Sequence, residues 1–213
     1  MLATAFSVSW VDFLIVILAL VGVLRGRKRG MSEELLDIIK WTFIVVLAAM
    51  LYEPGGRLLA QLSMFNLLYS YVAAYAIVTM LVFSVFTYVK QRIGDKFTGT
   101  DKFGNAEYYL GMMAGGYRFL CIVLVSMAFL NARQYSQAEI AAADQYQDYN
   151  FGTKLIPTVP DLQKEVFKSS FTGRAVHDFL PVVLIRPTPR DQTAAGASSN
   201  RRNGAVDQIL DKK

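Results

Sequence analysis

The sequence predicts an all-α, polytopic membrane protein with four transmembrane helices and a C-terminal tail, partly helical and partly disordered. Three observations carry that prediction. The chain is 54% hydrophobic and only 18% charged, with a mean hydropathy of +0.32, whereas a soluble domain is about 45–50% apolar and about 25% charged. The apolar excess falls in residues 10–130 and is gathered into four stretches. The basic residues of that region fall mostly in two short loops between them.

The first stretch, Val11–Leu24, is short, but Trp10 and the residues before it are uncharged and extend it. A helix needs about 20 residues to cross about 30 Å of hydrocarbon, and residues 5–24 supply them. The second, Leu35–Tyr52, is interrupted by Asp37 and Lys40. The third, Leu67–Val89, carries no charge and is apolar all round, unlike an amphipathic soluble helix. The fourth, Tyr108–Leu130, carries one charge, Arg118. Tyr and Trp gather near the ends of these stretches, as in interfacial belts.

Charge predicts the orientation. Arg25, Arg27, Lys28 and Arg29 lie between the first and second stretches, and Lys90, Arg92, Lys96 and Lys102 between the third and fourth. Only Arg57 lies between the second and third. Loops rich in Lys and Arg stay cytoplasmic, so both termini are expected outside. The basic cluster after Leu24 then reads as a topogenic hairpin touching anionic headgroups, not as a nucleic-acid site, despite a net charge of +5.

Beyond Leu130 the chain changes character. A short-helical extramembrane region is expected over 131–187, with a helix at Ser136–Tyr146 and two short helices in Pro160–Phe179 split at Gly173. Pro181–Pro187 reads as a strand or a segment on the membrane surface. From Thr188 the small, polar composition predicts disorder.

Nothing here points to catalysis or a cofactor. The chain has one histidine, His177, and one cysteine, Cys121. It has no phosphate-binding or dinucleotide-binding glycine motif and no metal-ligand spacing. The expectation is a non-enzyme without metal or cofactor.

The remaining signals are intramembrane polarity and glycine spacing. Arg118 lies about 15 Å into its stretch, where an unpaired charge costs at least about 2.5–3.5 kcal/mol. Asp12 and Asp37 are its candidate partners, though Asp37 also stands three residues from Lys40. Arg118 reads either as a transport or gating residue in a wet cavity or as the cation of a structural ion pair. Gly22, Gly26 and Gly30 recur every four residues, as do Gly111 and Gly115. That spacing lets membrane helices approach closely, within one chain or between copies of a homo-oligomer.

The order of these features resembles the colicin V production protein family. The carriers are Val11-Asp12, Arg25-Gly26 with Arg29, Gly99-Thr100-Asp101-Lys102, and Gly111-x3-Gly115-x2-Arg118. Two departures stand out. The family's acid normally lies four residues before the first glycine of the last motif. Here Asp101 lies ten before it, so either residues are inserted or Glu107 takes the acid's place. Phe119 replaces the glycine that usually follows the arginine. The resemblance implies a bacterial inner-membrane protein associated with toxin production or export and envelope maintenance, and it singles out Asp12, Arg25, Asp101 and Arg118. Two functions follow as expectations. One is a channel- or transport-like component working through the intramembrane charges. The other is a scaffold whose tail recruits an envelope partner.

Overall fold

The computed structural model describes residues 9–61, 66–97, 104–151 and 157–189. Four long helices dominate: α1 (Trp10–Arg29), α2 (Met31–Ala60), α3 (Leu67–Phe97) and α4 (Glu107–Asn131), the last preceded by a 3₁₀ turn, Gly104–Ala106. Three of them, α2, α3 and α4, are long and apolar enough to cross a membrane, where four spans were expected. α1 is set apart by charge, with Asp12 near its start and Arg25, Arg27, Lys28 and Arg29 at its end.

The helices outrun the apolar stretches that announce them. α2 takes in Met31–Glu34 before its apolar stretch and Glu53–Ala60 after it, and α3 continues through the basic residues beyond Val89. Hydropathy marks where a chain meets hydrocarbon, but charged residues at a helix end leave the backbone hydrogen-bond ladder intact. Pro54 sits inside α2 and cannot donate to the carbonyl one turn back.

The helices pack as a row, α1 against α4, α4 against α2 and α2 against α3, with little contact between α1 and α2. α1 and α4 meet through their glycines. A side chain on Gly26 would overlap the Gly111 carbonyl, and one on Gly115 would overlap the Gly22 carbonyl. The two glycine faces are therefore used against each other within one chain. Near the other end, α2 and α3 pack Ile44, Ala48 and Tyr52 with Tyr71 and Tyr75, and Tyr75 meets Phe129 of α4 edge-on at 5.1 Å.

The tail folds back onto the helix row. α5 (Gln137–Phe151) follows, then α6 (Val159–Lys164) running into a π turn, Glu165–Ser169, and α7 (Phe171–Phe179). Thr188–Pro189 (β2) pairs in parallel with Arg133–Gln134 (β1). Two expectations are corrected here. The break in Pro160–Phe179 falls at Ser170, because the Ser170 hydroxyl caps the Gly173 N–H and starts α7. Gly173 lies inside that helix, where a side chain would overlap the Val166 carbonyl. Thr188 and Pro189 are ordered, since the Thr188 N–H donates to the Ala132 carbonyl at 2.9 Å. Residues 190–213 lie outside the described residues.

Candidate functional site

Two polar centres stand at opposite ends of the helix row. The first lies at the end carrying the basic turn. Arg118 is buried, and its Nη1 donates to both Glu34 carboxylate oxygens at 3.1 and 2.8 Å and to Asp37 at 3.3 Å. Arg118 starts about 16 Å along α4 from Glu107, whereas Glu34 and Asp37 start about 4.5 and 9 Å along α2 from Met31. The difference is closed by the arginine's length and direction. Helical side chains lean toward their own N-terminus, so Arg118 reaches down to the basic end.

Asp37 is the hub of this centre. Besides Arg118 it meets Lys40 at 2.8 Å, Lys90 of α3 at 3.1 Å and Arg29 of α1 at 3.7 Å. Glu34, whose side chain is wholly buried, also meets Arg29 at 3.5 Å. The centre thus ties all four long helices together, with four cations around two carboxylates. The sequence reading paired Arg118 with Asp12 or Asp37 and overlooked Glu34. The signal was present. Glu34 stands three residues before Asp37, which places both on one face of α2.

Beside this centre, Glu107 secures the turn between α1 and α2. Gly30 ends α1 with φ +78°, a left-handed conformation that side chains disfavour. A side chain on Gly30 would overlap the Glu107 carboxylate. Glu107 Oε1 accepts the Ser32 N–H at 2.6 Å, so a carboxylate of α4 caps the N-terminus of α2. Glu107 stands four residues before Gly111 on the same helix. Asp101 and Lys102 lie outside the described residues. Arg25 is exposed on α1, and Arg29 is half-buried.

The second centre corrects the reading of Asp12. It is buried, but it faces the tail and not Arg118. Its carboxylate accepts the Ser170 hydroxyl at 2.7 Å, the Phe171 and Thr172 N–H groups at 3.0 Å each and the Ser9 N–H at 3.1 Å. Asp12 thereby caps two helices, its own α1 and the tail's α7, whose free N–H groups favour a carboxylate. The Ser9 hydroxyl donates to Glu165 at 3.0 Å beside it.

Other contacts fasten the tail to the same end. Gln163 donates to the Leu130 and Arg133 carbonyls at 3.1 and 2.9 Å, and Asn131 donates to the Ile185 carbonyl at 2.9 Å. Arg186 reaches Glu53 of α2 at 3.4 Å. Between α2 and residues 181–187 a cleft of about 870 Å³ opens, with Met50, Arg57 and Leu58 on one wall and His177, Pro181 and Val182 on the other. Among the described residues no cluster of His, Cys, Asp and Glu could hold a metal ion.

The family model for the colicin V production protein matches residues 11–147 of the chain. The chain belongs to the colicin V production protein family. Membership ties it to toxin production and, with its three long apolar helices, marks it as a membrane protein. No curated protein and no solved structure matches the chain. The matched segment contains Asp12, Glu34, Asp37, Glu107 and Arg118, but it stops before the part of the tail that Asp12 holds.

Proposed function

We propose that this family member is a membrane-anchored platform for toxin production or export. Four helices of the bacterial inner membrane hold a folded tail on the outer side, and the tail recruits an envelope partner. The observation that carries this reading is the Asp12 clamp, a buried carboxylate of α1 with four bonds, three of them to Ser170, Phe171 and Thr172. A tail fastened in this way is positioned, and the cleft beside Arg57 and Arg186 gives it a concave surface for a partner.

α1 serves as the fourth span. It runs along α4, with buried Val11 and Ile15 near one end and Gly22 and Gly26 near the other, and its opposite face exposes Phe13, Ile17, Leu20 and Leu24. That packing and that exposed apolar face support a crossing alongside α4. The Lys/Arg bias of the basic turn supports a cytoplasmic end there, and with it a tail on the outer side.

A second reading, transport, is favoured by one observation: four cations surround two carboxylates inside the helix row. Complementation of toxin production in a strain lacking the protein separates the two. On the platform reading, Asp12→Ala and deletion of residues 157–189 abolish production at normal membrane abundance, while a Glu34→Met/Arg118→Met double variant retains it. The opposite pattern would replace the platform with a transporter.

A further inference from the structure

The basic turn carries a second feature that the ion-pair centre leaves unused. Arg29 points inward to Glu34 and Asp37, but Arg27 and Lys28 are exposed and make no ion pair among the described residues. They line a groove of about 740 Å³ between α1 and α4, together with Leu24, Tyr108, Tyr109 and Met112. The spacing explains why these six meet. Arg27 and Lys28 stand three and four residues after Leu24 on α1, and Met112 stands four after Tyr108 and three after Tyr109 on α4, so Leu24 and Met112 each neighbour both of the other residues in their set. The glycine crossing beside them holds the two faces in register.

The groove has two chemistries in sequence along the helix. At its mouth are two cations and two exposed tyrosines, residues that favour the headgroup level of a membrane. Toward the other end of α1 the same side continues through Leu24, Leu20 and Ile17, which are 61%, 55% and 44% exposed. A ligand that fits both parts is an amphiphile with a negative head and a hydrocarbon tail. Basic pockets between membrane helices on the cytoplasmic side take such headgroups. A nucleic acid or a soluble phosphate would use the cations and leave the apolar stripe uncovered.

We propose that this groove is a binding site for one anionic phospholipid, its phosphate at Arg27 and Lys28 and an acyl chain along Leu24, Leu20 and Ile17. Tyr108, Tyr109 and Met112 of α4 form the facing wall of the groove. It is independent of the tail clamp and of what the tail recruits.

The test is native mass spectrometry of the full-length protein in non-ionic detergent, titrated with phosphatidylglycerol or with phosphatidylcholine of the same chains. The expected result is a preferred single adduct of phosphatidylglycerol. An Arg27→Gln/Lys28→Gln variant should weaken that adduct about thirtyfold, or about fivefold per cation. Arg25→Gln is the control, because it removes one exposed charge from the same turn outside the groove. It should leave the adduct within about twofold of the parent. Glycerophosphate, a headgroup without chains, should fail to compete. Equal binding of the two lipids, an equal loss in Arg25→Gln, or competition by glycerophosphate would each overturn the site. Helical circular dichroism matching the parent keeps the variants comparable, and a Leu20→Asn/Leu24→Asn variant tests the acyl half without altering charge. It should lose the preferred adduct. Unchanged phosphatidylglycerol binding there would also overturn the proposal.

Discussion

Replacing Arg118 with methionine should destabilise the protein far more than replacing Arg118 and Glu34 together. The single change leaves Glu34 fully buried, stripped of contacts at 2.8 and 3.1 Å, with Arg29 at 3.5 Å as its remaining cation. Asp37 suffers less, because Lys40 and Lys90 remain at 2.8 and 3.1 Å. Breaking a buried pair from one side costs about 3–5 kcal/mol, since an uncompensated charge stays behind. Replacing both partners by apolar groups of similar volume is often neutral or stabilising. Arg118→Met should therefore cost about 3 kcal/mol or more, and Glu34→Met/Arg118→Met should lie within about 1 kcal/mol of the parent. The assay is a double-mutant cycle read by denaturant unfolding of the purified protein in detergent. A double variant no more stable than Arg118→Met would refute the reasoning, and so would a single variant that costs less than about 1 kcal/mol.

Three further predictions follow from the same geometry. Gly26→Leu and Gly111→Leu should each cost at least about 1–3 kcal/mol in the same assay through forced separation of α1 and α4, while Gly55→Ala, whose new methyl would lie 3.5 Å from Ala74, should be neutral or slightly stabilising. Glu107→Ala should remove the cap on α2, cost about 1 kcal/mol and speed hydrogen exchange at Ser32. In the tail, the Ser136 N–H and Arg133 hold the Glu139 carboxyl below its usual range. Its contact at the start of α5 is then complete above the ordinary glutamate pKa and is lost as pH falls through the lowered value. Amide exchange at Ser136, corrected for intrinsic rates, should rise only in acid, and Glu139→Gln should abolish that pH dependence.

How much of this was legible in the sequence depends on the kind of signal. The long apolar stretches and the glycine spacing are local patterns: α2, α3 and α4 follow from the first, while the second marks faces built for close approach without saying whether they meet within one chain or between copies. That Gly26 meets Gly111 is a tertiary fact, which the spacing of either helix alone does not carry. The partner of Arg118 was harder. Asp12 lies within plausible reach along the chain, but reach in depth says nothing about which face of α1 it occupies. Three bonds from the 170–172 segment decide that face, and they join residues about 160 positions apart. Glu34 was hidden for a different reason. It sits at a helix start, where an acid already has a routine role with the helix dipole, so its second role with Arg118 leaves no separate mark. The turn at Ser170 went to Gly173 because glycine is the commoner breaker, whereas this glycine lies inside α7, where a side chain would overlap the Val166 carbonyl.

The account stands most directly on which side of the membrane the tail lies. In a Cys121→Ala background, single cysteines at exposed positions replace Gln61 after α2, Ala106 before α4 and Asp178 in the tail, and intact cells are treated with a membrane-impermeant thiol reagent. The account predicts labelling at 61 and 178 and none at 106 until the cells are opened. Labelling at 106 with protection at 61 and 178 would place the tail in the cytoplasm and contradict an outward-facing platform.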